Sequence, residues 1–364
     1  MMDFSQSPLL VIWEVTQACD LACVHCRASA SPGRSPDELS TEDGYRLLEQ
    51  VKSFGESGPM GSPLFIFTGG DPLKRPDLYD LIRYGVGLGL RICVTPSSTP
   101  LLTEEAIDGF KAAGVSRMAI SVDGANAETH DAFRQVPGSF DRCMMALRHA
   151  HDIGLETQFQ TTVTKRNMHQ LPEIAEIVRE VGSKMWSLFF LIVTGRANAG
   201  DDLTAEEYEQ VFGVMYDLSK TMPFDIKTTE AMHYRRYILQ RQKAERGQGL
   251  ESESAKRMAF RTAGVSDGRG FVFVSHAGEI YPSGFLSISG GNVRKQSLVE
   301  AYRTSPVFLA LRDAKQREGK CGACEYVHVC GGSRSRAYAL TGDCLAEDPR
   351  CTYVPKGYED PVPA

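Results

Sequence analysis

The feature that most restricts the fold is the rhythm of residues 9–195, where short apolar runs of strand length alternate with amphipathic stretches of helical period. The runs fall at 9–15, 64–67, 91–94, 117–122, 157–162 and 187–193, with helical segments at 42–54, 77–88, 103–113, 138–153 and 169–182 between them. Parallel strands need a crossover long enough to carry a helix, so this alternation predicts a parallel sheet. Consecutive apolar positions, as in Leu9-Leu10-Val11-Ile12-Trp13, predict strands covered on both faces. Six right-handed βα units curl toward a barrel without reaching the eight that close one. The expected fold is α/β, a partial (βα)6 barrel with an open side.

Beyond residue 195 the rhythm stops. Residues 204–219 and 232–246 read as charge-rich helices, and 271–281 as a hairpin turning at Ala277-Gly278. The expected domains are a barrel over 1–200, a helical connector over 201–265 and a cysteine-rich C-terminal domain over 266–364. The net charge of −6 and the pI near 5.8 give no global attraction to a polyanion, so no nucleic-acid partner is expected. No uncharged apolar run reaches the roughly 18 residues that span a bilayer. A cytoplasmic protein without a membrane partner is expected.

The ten cysteines are unevenly placed: three lie within 19–26 and five within 321–351, leaving Cys93 and Cys143 alone as buried apolar residues. Such groups point to metal or cluster ligation ahead of disulfides. Cys19-x3-Cys23-x2-Cys26 follows the first strand, at the carboxyl end where barrel enzymes build their sites. Three thiolates would hold three irons of a [4Fe-4S] cluster and leave the fourth open. The alternatives are incidental thiols or a three-cysteine zinc site, which wants a fourth ligand that His25, between two cysteines, is awkwardly placed to supply. The tail reads Cys321-x2-Cys324-x5-Cys330-x20-Cys351, with Cys344 inside the last interval. Four thiolates would fill a second [4Fe-4S] cluster, and four-cysteine zinc is the alternative. Thr68-Gly69-Gly70-Asp71-Pro72 closes the second strand; alone it is a turn, although two glycines also let a ligand approach the backbone. Later strand ends carry Ser97, Ser98, Ser121, Asp123, Thr162, Thr164 and Gly195-Arg196. The histidines outside the first cysteine group share no metal-site spacing and stay unassigned.

The first cysteine group resembles the signature of the radical S-adenosylmethionine (SAM) superfamily, and Thr68 to Pro72 resembles its Gly-Gly-Glu-Pro motif with Asp71 in place of Glu. The resemblance implies that the open iron chelates S-adenosylmethionine, whose reductive cleavage gives a 5′-deoxyadenosyl radical that takes a hydrogen atom from substrate. It implies His25 against the adenine, Thr68, Gly69, Gly70 and Asp71 at the methionine amino group, Ser121 and Thr162 at carboxylate and ribose, and Arg196 as an anion contact. The tail, with Tyr281-Pro282-Ser283-Gly284-Phe285, resembles SPASM/twitch cluster domains. Cysteines usual near Ser283 and before the hairpin are missing, which implies one auxiliary cluster, with Cys351 preferred to Cys344 as fourth ligand. Cys330-Gly-Gly-Ser-Arg-Ser-Arg-Ala-Tyr-Ala, Gly342-Asp-Cys-Leu-Ala-Glu-Asp-Pro, Trp13-Glu14-Val15-Thr16 and Cys26-Arg27-Ala28-Ser29-Ala30 resemble the radical enzymes of alternative haem and haem-d biosynthesis.

That branch implies a decarboxylase or oxidoreductase acting on the side chains of a carboxylate-bearing small molecule, a tetrapyrrole before others. Arg196, Arg294, Arg334 and Arg336 would anchor the carboxylates, the second cluster would accept an electron, and a flavodoxin or ferredoxin would be the low-potential donor. The alternatives are decarboxylation of a sugar-acid nucleoside in antibiotic biosynthesis and modification of a ribosomal peptide. A non-catalytic iron–sulfur scaffold or redox sensor is a third, and it leaves the open three-cysteine site without a purpose.

Overall fold

A computed structural model describes residues 3–55, 61–246 and 265–359. Seven parallel strands lie side by side in chain order: β1 (Leu10–Glu14), β2 (Leu64–Thr68), β3 (Ile92–Val94), β4 (Arg117–Ser121), β5 (Thr157–Val163), β6 (Met185–Phe190) and β7 (Asp225–Thr229). β8 (Phe271–Val274) pairs in parallel with the other edge of β1, and β9 (Glu279–Tyr281) and β10 (Gly291–Asn292) continue antiparallel beyond it. The helices of the barrel are α1 (Thr41–Lys52), α2 (Leu78–Gly87), α3 (Glu104–Ala112), α4 (Ala127–Arg134), α5 (Ser139–Asp152) and α6 (Leu171–Glu180), followed by α7 (Ala205–Thr221) and α8 (Tyr234–Glu245).

The partial barrel is present, with differences that have local causes. The connector, read as helical, also supplies β7: Asp-Ile-Lys-Thr-Thr buries only Ile226 and so carries no apolar run. It is a strand because β6 offers it an unpaired backbone edge, from Met185↔Asp225 to Phe189↔Thr229. The sixth run, expected over 187–193, forms β6 over Met185–Phe190 and ends where its partner β5 ends, at Val163↔Phe190. Leu191 and Ile192 are buried as loop. An additional helix, α4, starts at Asn126, whose side chain accepts from the Thr129 amide.

The sheet's outer face and the helices share one core. Val11, Trp13, Phe65, Phe67, Ile92, Val94, Met118, Phe159, Trp186 and Leu188 have no exposed surface, and each is worth about 1.5–3 kcal/mol of burial. Against them α1, begun by a Ser40/Asp43 capping box, packs Leu47, Leu48 and Val51. The inner face is different. Leu10, Ile12, Leu64, Ile66, Thr68, Arg117, Ser121, Gln158, Gln160, Thr162, Lys227 and Thr229 are all only half-buried. A closed barrel fills this space with branched apolar side chains. Here it remains an open lumen with a largely polar far wall. Among the described residues no helix is long and apolar enough to cross a membrane.

Candidate active site

The cysteine loop leaves β1 through the buried Val15 and Thr16 and is held from three sides. From α4, the carbonyls of Phe133 and Arg134 accept from the amides of Val24 (3.0 Å) and Ala22 (3.2 Å). From the end of β2, the Gly70 and Asp71 amides donate to Thr16 O and Ala18 O, each at 2.7 Å. From the loop after β6, Arg196 donates its amide to Cys26 O (3.0 Å) and its guanidinium to Cys23 O (3.0 Å) and Ala30 O (2.8 Å). Each thiol has a donor: the Leu21 amide reaches Cys19 Sγ and the Ala30 amide Cys26 Sγ, both at 3.4 Å, and Arg134 lies 3.7 Å from Cys23 Sγ. Burial pushes the Cys19 thiol up to about 11, so it becomes a thiolate only with a bound cation to supply the compensating charge. Three sulfurs with N–H donors, one of them the Arg134 guanidinium, suit an iron–sulfur cluster.

The glycine pair has a packing reason independent of any ligand. A Cβ on Gly69 would stand 2.6 Å from Thr16 O, and one on Gly70 2.5 Å from Ala18 O. The Gly70 carbonyl accepts from the Ser97 hydroxyl at 2.5 Å. Asp71 is fully buried, accepting from the Leu73 amide (3.1 Å), the Ser97 amide (3.4 Å) and the Thr99 hydroxyl (2.6 Å). Burial raises its pKa. In this structure the Asp71 carboxylate holds the loop after β3. His25 packs edge-on against Phe133 with ring centroids 5.4 Å apart, and burial lowers its pKa to about 4, so the ring is neutral. Thr68 is half-buried at the end of β2, and Ser121 and Thr162 stand half-buried at the ends of β4 and β5. Ser121 donates to Gln160 at 3.2 Å, while the Thr162 amide donates to Asp123 at 2.7 Å.

The four arginines expected to grip anions are each engaged by the protein itself. Arg196 clamps the cysteine loop as above. Arg294 donates to the carbonyls of Asp37 (3.2 Å) and Glu38 (3.0 Å). Arg334 is fully buried and donates to Cys344 O (3.2 Å) and Ala346 O (2.5 Å). Arg336, equally enclosed, pairs with Asp348 at 3.2 Å and donates to Glu230 O at 2.6 Å. Arg334 and Arg336 are buried and spend their terminal nitrogens on protein acceptors, although the Arg336 Nε has no hydrogen-bond partner; Arg196 and Arg294 are exposed and bound to backbone carbonyls.

Sequence reasoning missed Lys227. It sits on β7 in register with Ser187, which is opposite Gln160, which is opposite Ser121, so one row of polar residues crosses β4 to β7 on the lumen side. No hydrogen bond or ion pair engages the Lys227 side chain among the described residues, and burial, with Arg117 nearby, lowers its pKa to about 8. The segment Asp225-Ile226-Lys227-Thr228-Thr229 holds a single apolar residue, so no strand signal marked it in the sequence.

Cys321, Cys324, Cys330 and Cys351 line one small cavity; Cys344 is not on its wall. The amides of Asp348, Tyr326 and Gly332 point at the sulfurs of Cys321 (3.3 Å), Cys324 (3.4 Å) and Cys330 (3.4 Å). All ten cysteines are unpaired. Among the described residues no three Cys, His, Asp or Glu groups converge on one metal-ion position.

An incompletely closed parallel barrel, with three thiols at the mouth of its first strand and a glycine pair from the second strand against them, defines a radical SAM enzyme. The Radical SAM superfamily pattern matches residues 13–178. The chain is 39% identical to the AdoMet-dependent heme synthase of Methanosarcina barkeri, over 98% of this chain and 99% of that protein. It is 42% identical to the AdoMet-dependent heme synthase of Nitratidesulfovibrio vulgaris, over 97% and 95%. In structure it is similar to Streptococcus suis SuiB bound to S-adenosylmethionine, with a TM-score of 0.73 and 15% identity over 96% of this chain and 78% of that one, a likeness of fold. The chain belongs to the radical SAM superfamily, whose members carry a [4Fe-4S] cluster and S-adenosylmethionine.

Proposed function

We propose that this enzyme oxidatively decarboxylates propionate side chains of an iron tetrapyrrole to form haem. The observation that carries this reading is near-complete alignment, at 39% and 42% identity, with two AdoMet-dependent heme synthases. We assign Cys19, Cys23 and Cys26 as ligands of the catalytic cluster, and Cys321, Cys324, Cys330 and Cys351 as ligands of the auxiliary one. His25, Thr68, Gly69, Gly70, Ser121 and Thr162 would surround S-adenosylmethionine. When bound, the catalytic cluster and S-adenosylmethionine together supply the oxidant that removes a hydrogen atom from substrate.

The chain's own residues hold and orient. Arg196 and the α4 carbonyls keep the cysteine loop against the barrel mouth, and Arg134 offers Cys23 a charged donor. In the lumen, Lys227, whose side chain has no partner among the described residues, is a cation suited to a carboxylate remote from the reacting one. A –CH2–CH2–COO⁻ group becomes –CH=CH2 by losing one hydrogen atom, CO2 and one electron, so the reaction needs an electron acceptor. The four-cysteine cavity is the candidate. The reductant proposed for the catalytic cluster is a flavodoxin or ferredoxin in the cytoplasm.

The test is anaerobic reconstitution with iron and sulfide, reduction by dithionite, and addition of S-adenosylmethionine with iron-coproporphyrin III or a sugar-acid nucleoside in parallel. The expected result is 5′-deoxyadenosine together with CO2 and vinyl-bearing product from the tetrapyrrole. Turnover of the nucleoside instead, or of neither, rejects the substrate assignment.

A further inference from the structure

The cavity that gathers Cys321, Cys324, Cys330 and Cys351 has a second wall, built from the segment after β7 and carrying His233 and Arg236. His233 has no exposed surface and neither ring nitrogen has a hydrogen-bond partner. Its ring is fixed by stacking on Tyr208 (centroids 5.3 Å apart) and by the edge of Phe212 (4.8 Å). The nearest carboxylate, Asp348, is 3.8 Å from Nδ1, beyond hydrogen-bond reach. Arg236 repeats the pattern: its terminal nitrogens are engaged by Glu209 and by Gln240 (2.8 Å), yet its buried Nε has no partner. An unmet buried donor costs about 1–3 kcal/mol. Two on one wall, facing four thiols, mark the place of an acceptor.

The sulfurs of a cluster held by those thiols are such an acceptor, and hydrogen bonds to them stabilise the more negative, reduced state. We propose that His233 and Arg236 donate to the sulfurs of the auxiliary cluster and raise its reduction potential, fitting it to take the electron released with CO2. This rests on the ligand assignment made above and goes beyond it: the cavity wall, and not the ligand set, sets the redox poise. His233 and Arg236 are positioning residues here, acting through the cluster that the four thiols would hold.

The experiment is an EPR-monitored redox titration of the anaerobic holoenzyme, in which S-adenosylmethionine shifts the catalytic cluster's signal and separates it from the auxiliary one. His233→Phe keeps a ring of similar shape without donors, His233→Gln restores one donor, and Arg236→Lys keeps the charge but removes Nε–H. With iron and sulfide content unchanged, the auxiliary midpoint should fall in His233→Phe, recover in part in His233→Gln and fall in Arg236→Lys, while the catalytic cluster's midpoint stays put. An unshifted auxiliary midpoint in His233→Phe and Arg236→Lys overturns the inference and leaves the ligand assignment intact. Loss of the auxiliary cluster from both His233 variants but not from Arg236→Lys, with that variant's midpoint unshifted, makes His233 a ligand or a structural residue and also overturns it. A wild-type chain holding one cluster overturns the ligand assignment and the inference together.

Discussion

Replacing Gly195 with alanine tests whether the loop after β6 sets the geometry of the cysteine loop. Gly195 has φ +59°, where an L side chain costs about 1–2 kcal/mol. Its added Cβ would meet Cys26 O at 2.3 Å and Arg27 O at 2.4 Å, backbone atoms that cannot rotate aside. Overpacking of this kind costs about 1–3 kcal/mol. The sum, about 2–5 kcal/mol, can be relieved only by moving one loop off the other. Cys26 would move with it, because the Arg196 amide donates to its carbonyl at 3.0 Å. The expected variant folds and retains its auxiliary cluster, but loses catalytic-cluster iron and at least about tenfold in 5′-deoxyadenosine formation, the equivalent of about 1.4 kcal/mol. Iron and sulfide counting with EPR of the reduced protein reads this. Gly87→Ala is the control: it lies on the exposed side of α2 with nothing within 4 Å, and gains up to about 1 kcal/mol of helix propensity. A Gly195→Ala protein with wild-type iron and wild-type rate refutes the argument.

Three further outcomes follow from the geometry. Cys351→Ser should lose one cluster's worth of iron while Cys344→Ser keeps both, because only Cys351 lines the cavity; equal iron in the two variants contradicts the ligand set. Lys227→Met should raise KM for the tetrapyrrole about 10- to 100-fold, the value of a charged hydrogen bond of about 1.5–3 kcal/mol, with kcat changed less and Lys227→Arg close to wild type; a tetraester substrate should erase the difference between wild type and Lys227→Met. Glu230, buried and beside Asp267, with Arg336 and the hydroxyls of Ser283, Ser333 and Ser335 around it, has its pKa raised from 4.5 to about 8 by burial first and by Asp267 second. Its contribution to stability is complete below the ordinary carboxyl pKa and is lost as pH rises through about 8. Thermal midpoints of Glu230→Gln should therefore gain on wild type from pH 5 to pH 9, and parallel curves would discount the buried acid.

How much was legible in the sequence depended on how local each determinant is. Thr157–Val163 alternates buried and half-buried positions along one strand, and the Ser40/Asp43 box closes within one helical turn, so both are written in neighbouring residues. The Cys19, Cys23 and Cys26 spacing is local too, as is the glycine pair that must pass close to it. Asp71 illustrates the limit. Its place in the motif is plain, but its carboxylate points at Thr99, and that follows from where the loop after β3 comes to rest.

Sequence pattern alone determined the barrel class, the order of its first six strands and the loops that carry the thiols, because apolar periodicity and cysteine spacing act over a few residues. Tertiary structure decided what depends on partners far along the chain. β7 exists because β6 offers an edge, β8 joins β1 across some 260 residues, and Arg294 reaches back 257 residues to the Asp37 carbonyl. Arg334 and Arg336 are enclosed by the closed fold, Arg196 and Arg294 are tied to backbone carbonyls far along the chain, and the Lys227 side chain is left without a partner among the described residues. Whether a charged side chain is buried and paired or open to a ligand is a property of the closed fold, where the cost of an unmet donor is decided by whatever long-range packing has brought alongside it.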